Sequence, residues 1–257
     1  MNALYNILWI LFAYLLGSIN FSIILTKFNS KKEDIRKMGS GNAGATNAMR
    51  VHGFKFGLLV FILDTSKSFW LGFALGLMQD KNESFSGLMP QLILLFVIIG
   101  HIFPIYFKFK GGKGAATLLG MIASISLFLA IIGTILFFLI VGITRYVSLG
   151  SITVPFIIAL LSFICPYFNH IDTTITYGQF WINPLFLSLG SVIVAVSHWQ
   201  NILRLIKHKE SKIDFKFKSK NKNNINDMNI KKQITENKVV DNNTSIIDDA
   251  TNLNNFD

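Results

Sequence analysis

Six apolar stretches separated by shorter polar segments occupy most of the first 207 residues of the chain. They cover residues 4–27, 55–78, 90–107, 114–144, 148–167 and 180–206. A helix needs about 20 apolar residues to cross the hydrocarbon core of a bilayer, so most of these stretches are long enough for one crossing each. The pattern predicts an all-α fold, a polytopic membrane helix bundle.

The distribution of positive charge predicts the orientation of this bundle. Lys and Arg are concentrated after the first and third stretches, whereas residues 168–179 contain an Asp and no Lys or Arg. Because cytoplasmic loops carry the excess of Lys and Arg, we expect the N-terminus outside and the C-terminus inside. This orientation requires residues 114–144 to cross twice, as two short or tilted helices. The total is then about seven transmembrane helices, with five or six as the fallback.

Composition supports a membrane protein and excludes other classes. The 257 residues are 51% hydrophobic and only 15% charged, whereas soluble domains carry about 25% charged residues. The net charge of +10 would suit a nucleic-acid partner, but a mean hydropathy of +0.48 does not, so we expect no nucleic acid to bind. The single cysteine, Cys165, excludes a disulfide framework and a multi-cysteine metal site, and we expect no metal.

The composition changes from His208 onward, where Asn and Lys become frequent and the long apolar stretches end. Such a segment cannot bury enough apolar surface to offset the conformational entropy that is lost on ordering. We therefore expect two regions. Residues 1–211 form the integral membrane domain, and residues 212–257 form a disordered, Asn/Lys-rich cytoplasmic tail.

Three polar clusters lie on the predicted cytoplasmic side, and the first covers residues 39–47 together with Arg50. Its glycines allow backbone N–H groups to approach an anion closely. Hydroxyl and amide side chains add donors, and Arg50 can bind a phosphate through two hydrogen bonds. A flexible loop without a ligand would have the same composition, so both interpretations stay open for this cluster alone.

The second cluster covers residues 108–114, with Thr117 shortly after it. Glycines again expose backbone amides, and lysines neutralise negative charge. Because the cluster opens the next apolar stretch, its amides are expected at a helix N-terminus, where anions bind favourably. The alternative is a basic anchor that flanks the membrane.

The third cluster combines His198, Asn201 and Arg204 with Glu210. Helical spacing places the first three on one face of the last helix, where they would recognise a polar, anionic ligand. Ser148 and Ser151 lie at another cytoplasmic helix end. Asp64 and Lys67 fall near the middle of the second helix, where charges are costly and mark candidate sites. The sequence leaves open whether these two residues form a structural ion pair or belong to the site.

Taken in this order, the clusters resemble the three motifs of the bacterial acyl-phosphate:glycerol-3-phosphate acyltransferases, a family of membrane enzymes. The resemblance covers about residues 1–212. It matches residues 39–47 with Arg50 to the first motif and residues 110–114, with His101 upstream and Thr117 downstream, to the second. Residues 198–204 with Glu210 match the third. Three positions depart from the family pattern: Trp199 stands where Arg is common, and His208 and Ser68 stand where Gly is usual.

The resemblance implies transfer of an acyl group from acyl-phosphate to the 1-hydroxyl of glycerol 3-phosphate, with no cofactor. The products would be lysophosphatidate (1-acyl-glycerol 3-phosphate) and phosphate, in the first step of bacterial phospholipid synthesis. It implies catalytic roles for Ser40, Arg50, Lys113, His198 and Asn201. It implies substrate-binding roles for Gly41, Asn42, Thr46, Asn47, His101, Lys110, Gly111, Gly112, Gly114, Thr117, Ser148, Ser151, Arg204 and Glu210.

The same resemblance implies the surroundings in which the protein works. Its partners would be the two substrates and the lipid bilayer, with a functional link to an acyl-phosphate-forming enzyme. It would lie in the inner (plasma) membrane as a multi-pass protein, with the active site facing the cytoplasm. The alternative function is a membrane transporter for a phosphorylated solute, which would also need basic, glycine-rich loops at membrane ends. Such transporters usually contain internal repeats, and the sequence shows none.

Overall fold

A computed structural model describes residues 2–29, 33–81, 85–164 and 182–213 of the chain. Within these ranges the secondary structure is helical, without strands. Residues 214–257 of the predicted tail (212–257) and the predicted external segment 168–179 lie outside the described residues, so both stay predictions.

Ten α-helices are described, together with two short 3-10 helices, Ile35–Lys37 and Ile105–Phe107. The α-helices are α1 (Asn2–Ser18), α2 (Phe21–Asn29), α3 (Ala45–His52), α4 (Phe54–Lys81), α5 (Pro90–Ile102), α6 (Ala115–Ile125), α7 (Leu127–Thr144), α8 (Val147–Ile164), α9 (Ile182–Ser197) and α10 (Trp199–Ile206).

Among the described residues, five segments are long and apolar enough to cross a membrane. They are Ala3–Asn29, Phe54–Gln79, Pro90–Phe107, Leu127–Thr144 and Val147–Ile164. A sixth is obtained when α9 and α10, which meet at a bend of 66°, are taken as one span. The prediction of an all-α polytopic membrane bundle is confirmed. The total of seven would need α6 as a further span, and that count and the orientation stay predictions.

Residues 114–144 form two helices, as the charge distribution predicts. Ser126 separates them: its backbone N–H donates to Ile122 O (2.8 Å) at the end of α6. Its hydroxyl accepts from the Leu129 N–H (3.3 Å) and so caps the start of α7. The two helices are unequal, with 11 residues in α6 and 18 in α7. At about 16 Å, α6 is far shorter than the hydrocarbon core.

The first and last apolar stretches each contain a break between two helices, α1 and α2 in the first and α9 and α10 in the last. In the first, the chain breaks after Ser18, and Asn20 Oδ1 accepts from the Ile23 N–H (3.0 Å) at the start of α2. In the last, α9 ends at Ser197. Near this break, backbone and side-chain donors of His198 both bond to Val194 O, which disturbs the regular helical ladder.

The described helices pack around α5. Of the candidate spans, the one containing α5 is the most enclosed by protein, with 61% of its residues buried. α1 and α5 approach closely because Gly17 faces the backbone at Val97 and Gly100 faces the backbone at Tyr14. The core continues through α4, α6 and α9, while α7 exposes apolar side chains such as Ile135 and Phe138, which suits contact with lipid.

Candidate active site

The first cluster is a tight loop between the 3-10 helix Ile35–Lys37 and α3, and Asn47 holds it together. Asn47 Oδ1 accepts from the Ser40 N–H (2.8 Å), and its Nδ2 donates to Ile35 O (3.2 Å) and Met38 O (2.9 Å). Gly39 has a φ of 56°, and a side chain there would overlap the Asn47 amide. Both N–H bonds of the Asn47 amide are therefore used inside the loop.

Arg36 connects the first cluster to the second. Its Nη1 donates to Phe107 O (2.7 Å) and Lys110 O (3.2 Å), across 74 residues of sequence in the second case. Asp34 holds the other side of the guanidinium, with Nη2 to Oδ2 at 2.7 Å. The hydrogen bond from Arg36, opposed by burial, keeps the pKa of Asp34 below its usual value. Sequence reasoning missed Asp34 and Arg36 as site-forming residues, and their spacing of two is the one signal that could have indicated them.

The second cluster is a glycine loop that folds back onto the end of α5. The Gly111 N–H donates to Ile102 O (3.0 Å), and the Gly112 N–H donates to His101 O (3.0 Å). A side chain at Gly112 would overlap the His101 imidazole, so this close approach requires glycine. Gly114 then caps α6, which places the loop at a helix N-terminus as the sequence predicts.

A hydrogen-bonded network joins the second cluster to the third. Lys113 Nζ donates to Asn201 Oδ1, and Asn201 Nδ2 donates to Glu210 Oε1 (2.7 Å). The Glu210 carboxylate also accepts from Ser148 Oγ (2.9 Å) and from Arg204 Nε (2.8 Å). The structure thus brings together these five predicted residues, which come from four separate parts of the chain.

The turn after α10 explains how Glu210 reaches this network. The His208 N–H donates to Leu205 O (3.0 Å) and the Lys209 N–H to Arg204 O (2.7 Å), a hydrogen-bond pair that commonly ends helices. His208 has a φ of 53°, in the left-handed region that favours glycine. The chain reverses there and returns Glu210 toward Asn201 and Arg204.

The electrostatics show that all three clusters converge on Lys113. Burial is the largest of the effects that together lower the pKa of Lys113 to about 8; Arg204 and Arg50 act in the same direction, and Glu210 acts in the opposite direction. Arg50 itself is exposed on α3. For Glu210, burial raises the pKa, but hydrogen bonds from Arg204, Asn201 and Ser148 outweigh it and hold the pKa below its usual value.

His198 is the N-cap residue of α10, the helix that carries Asn201 and Arg204, and its carbonyl accepts from the Ile202 N–H (2.9 Å). It is buried at the bend between α9 and α10. Its Nδ1 lies 2.8 Å from Val194 O, and this contact requires Nδ1 to carry the proton and leaves Nε2 as an acceptor. Ser197 beside it donates to Lys113 O (2.7 Å), which ties the bend to the glycine loop.

The other predicted residues occupy two kinds of position. Exposed or half-buried positions on the loops and at helix ends hold Ser40, Gly41, Asn42, Thr46, Lys110 and Ser151. Ser151 lies one turn beyond Ser148 on α8, and the structure does not bring it into the Glu210 network. Thr117 is fully buried in α6, and its hydroxyl has no hydrogen-bond partner.

Asp64 and Lys67 form an ion pair inside the bundle, with Nζ to Oδ1 at 3.1 Å. The pair also contacts His101, whose Nδ1 lies 3.0 Å from Lys67 Nζ. The structural pair that the sequence left open is therefore present, and it adjoins a predicted site residue. Over the described ranges, no group of three His, Cys, Asp or Glu is placed to hold a metal ion.

Together these features define a class of protein. It is a multi-pass helical membrane protein that gathers cations, amides and glycine loops at one end, which is the chemistry of a site for anionic ligands. Comparison with known proteins identifies its family. Residues 7–208 match the family described as glycerol-3-phosphate acyltransferase.

Individual relatives agree with the family match. The glycerol-3-phosphate acyltransferase of Mycoplasma mobile is 50% identical over 230 residues, which cover 84% of this chain and 95% of the relative. That of Mycoplasmopsis agalactiae is 39% identical over 241 residues, covering 84% and 99%. A crystal structure of PlsY (YgiH), an integral membrane glycerol 3-phosphate acyltransferase in its glycerol 3-phosphate form, superposes with a TM-score of 0.69 at 32% identity, covering 82% of this chain and 96% of that one.

The chain belongs to the glycerol-3-phosphate acyltransferase family. It is a membrane-embedded acyltransferase, and the predicted family is confirmed. Its place in phospholipid biosynthesis follows from that activity.

Proposed function

We propose that the protein transfers an acyl group from acyl-phosphate to the 1-hydroxyl of glycerol 3-phosphate, forming lysophosphatidate and phosphate. The observation that carries the proposal is the convergence of Arg50, Lys113 and Arg204 beside two glycine loops. Both substrates carry a phosphate, so a site for this reaction must hold two anions. Family membership indicates glycerol 3-phosphate as the acyl acceptor. The presence of two anion-binding loops supports an acyl donor that also carries a phosphate.

The clusters divide between the two substrates as follows. Residues 39–47 with Arg50 and Lys113 hold one phosphate, through backbone amides and two cations. Asn201 and His198 orient the other substrate, and the acyl chain lies in an apolar groove that opens to the bilayer. Asn47 shapes the first loop from within and does not contact substrate, because its amide hydrogens are already used.

The reaction needs positioning and charge neutralisation more than a strong base, because a mixed anhydride is already activated. The hydroxyl oxygen of glycerol 3-phosphate attacks the acyl carbon, and the bond between that carbon and the phosphate oxygen breaks. The electron pair leaves with the phosphate, which also accepts the hydroxyl proton. Lys113 neutralises the phosphate charge, and His198 Nε2 is an acceptor beside it that holds the hydroxyl in place.

The setting of the reaction is part of the proposal. The site faces the cytoplasm from the inner (plasma) membrane, where an acyl-phosphate-forming enzyme supplies the donor. Residues 1–211 form the catalytic domain, and residues 212–257 are a tail that catalysis does not need. The family match favours an acyltransferase over the transporter alternative.

The experiment is acyl-phosphate-dependent acylation of labelled glycerol 3-phosphate by the purified protein in lipid vesicles. We expect Lys113→Ala to lower kcat/KM by about 10²–10³-fold, because one buried cation at a developing charge contributes that much. Lys55→Ala is the matched control, since Lys55 is an exposed cation on α4 outside the site, and its activity should equal that of the unaltered protein. Equal activity of all three proteins would contradict the proposed site.

A further inference from the structure

Three ionisable side chains are buried inside the bundle rather than in the motif loops. Asp64, Lys67 and His101 are only 1%, 6% and 3% exposed, and they come from α4 and α5. Burying such groups is costly unless each one has close partners. The hydrogen-bond partners of these side chains determine which ring nitrogen of His101 carries the hydrogen.

Lys67 has more acceptors around it than hydrogens to donate. Its Nζ lies 3.1 Å from Gly17 O, 3.2 Å from Ile19 O, 3.1 Å from Asp64 Oδ1 and 3.0 Å from His101 Nδ1. An ammonium group has three N–H bonds and no lone pair, so it can only donate. Each atom at hydrogen-bond distance from Nζ must therefore present a lone pair.

This requirement fixes the tautomer of His101. If Nδ1 carried a hydrogen, that hydrogen would be directed at Asp64 Oδ1, 3.5 Å away, while two donors faced each other across 3.0 Å at Lys67. With Nδ1 as the acceptor this conflict is absent, and the ring hydrogen must be on Nε2. The hydrogen bond that Nδ1 accepts from Lys67 thus makes Nε2 the hydrogen-bond donor of the ring.

The Nε2 edge of the ring faces the junction of the first two motifs. A side chain at Gly112 would overlap His101 Nε2, and the same position would lie 2.9 Å from Ala43 O. Gly112 belongs to the glycine loop beside Lys113, and Ala43 belongs to residues 39–47. Ala43 O is held in place by Asn20 Nδ2 at 3.1 Å. The imidazole Nε2 edge is therefore adjacent to residues of both anion-binding loops.

We propose that Asp64 and Lys67 are positioning residues that hold His101 as the Nε2–H tautomer, so that this N–H donates to a substrate phosphate where the two loops meet. The inference rests on the proposed function, because it assigns a phosphate to that junction. Lys67 supplies the donor to Nδ1, and Asp64 balances the buried ammonium. Neither residue touches substrate.

A double-mutant cycle separates this role from a purely structural one. The paired exchange Asp64→Asn with Lys67→Met leaves no unpaired buried charge, and it removes the donor to Nδ1. We expect the KM of at least one phosphate substrate, glycerol 3-phosphate or acyl-phosphate, to rise about tenfold. In a His101→Gln background, the Gln amide supplies an N–H near the Nε2 position with no tautomer to set. In that background, adding Asp64→Asn and Lys67→Met should change the same KM by less than about twofold.

Equal KM increases in both backgrounds, or no increase in either, would overturn the proposal. Thermal unfolding in detergent shows whether each variant is folded. If the paired variant does not fold, comparison of His101→Gln with His101→Asn tests the role of the Nε2 donor. The Gln amide reaches the Nε2 position, and the shorter Asn amide does not. Gln should keep KM within about threefold, and Asn should raise it about tenfold. Equal effects of the two would contradict the role.

The tautomer itself is measured on the unaltered protein. In nitrogen-15 histidine spectra, assigned by loss of the signal in His101→Gln, the Nε2 of His101 should carry the proton and Nδ1 should not. A protonated Nδ1 would overturn the inference. If the unaltered protein shows this tautomer but does not acylate glycerol 3-phosphate from acyl-phosphate, the proposed function fails instead. The two failures are thereby distinguished.

Discussion

Lys113 is the residue at which the charges of all three motifs meet. Burial, Arg204 and the exposed Arg50, opposed by Glu210, together lower its pKa to about 8. A lysine with such a pKa is cationic below pH 8 and loses its charge as the pH rises through that value. Phosphate binding needs the cation, so activity is tied to this titration.

We therefore expect kcat/KM to be flat toward neutral pH and to fall above a midpoint near pH 8. Far above the midpoint the fall should be about tenfold per pH unit, as for loss of one essential proton. Lys113→Arg is the control, because a guanidinium stays charged over this range. Its activity should be lower but without that alkaline fall. The same fall in Lys113→Arg would show that another group titrates.

His208 illustrates how one departure from the family pattern has a conformational consequence. The resemblance to the family implies glycine at this position, and His208 adopts a φ of 53° in the turn that ends α10. A non-glycine residue in the left-handed region costs about 1–2 kcal/mol, part of which glycine loses again through its greater freedom when unfolded. The turn nevertheless forms, because both of its backbone hydrogen bonds are made.

His208→Gly should therefore stabilise the protein by up to about 1 kcal/mol, which raises Tm by about 2–4 °C. Thermal unfolding in detergent measures it. His208→Ala removes the same side chain but keeps the strained φ, so it should not raise Tm. A Tm increase of equal size in both variants would mean that the imidazole, not the backbone, is responsible.

At the scale of elements, the close approach of α1 and α5 depends on two glycines. A side chain at Gly17 would overlap the backbone at Val97, and one at Gly100 would overlap the backbone at Tyr14. Neither obstacle can move without separating the helices. Lys67 is bonded to the end of α1 and His101 lies on α5, so this packing also sets the geometry of the buried cluster.

Gly100→Leu should destabilise the fold by at least about 1–3 kcal/mol, the usual cost of overpacking a core. The matched control is Gly142→Leu in α7, where nothing lies within 4 Å of an added Cβ, and its Tm should be close to that of the unaltered protein. Thermal unfolding of both in the same detergent checks this. Equal Tm values for the two variants would contradict the packing described for α1 and α5.

Hydropathy predicts where helices lie but not where they bend. The apolar stretches locate the described spans, because length and apolarity are properties of each segment alone. The bend at His198 depends on a local competition for Val194 O, which no hydrophobic pattern records. Likewise the sequence alone suggests that Asn47 binds a ligand, because it lies among the polar residues of the first cluster. Its three hydrogen bonds show instead that its side chain holds its own loop together.

At the scale of the whole molecule, the order of the three clusters predicts the family, whereas their assembly depends on contacts between distant segments. Arg36 reaches Lys110, and Ser148 reaches Glu210 across 62 residues of sequence. Sequence spacing contains no information about such contacts. Charge distribution does predict that the clusters share one side of the membrane, and the contacts that join them agree with this.

The end of the membrane domain can be tested by two truncations. The Ile213 N–H donates to Arg145 O (2.8 Å), so the described chain is attached to the bundle up to that point. A protein that ends at Ile213 should keep full acyltransferase activity. A protein that ends at Lys209 lacks Glu210 and should lose most of it, since Asn201, Arg204 and Ser148 lose their shared acceptor. Loss of activity in the longer protein would give the tail a role in catalysis.

The most direct test of the central claim is the stoichiometry of the reaction catalysed by the purified protein. With acyl-phosphate and glycerol 3-phosphate, one inorganic phosphate should be released for each lysophosphatidate formed, and acyl-coenzyme A should not replace the donor. Lysophosphatidate formed from acyl-coenzyme A without phosphate release, or phosphate release without lysophosphatidate, would contradict the account.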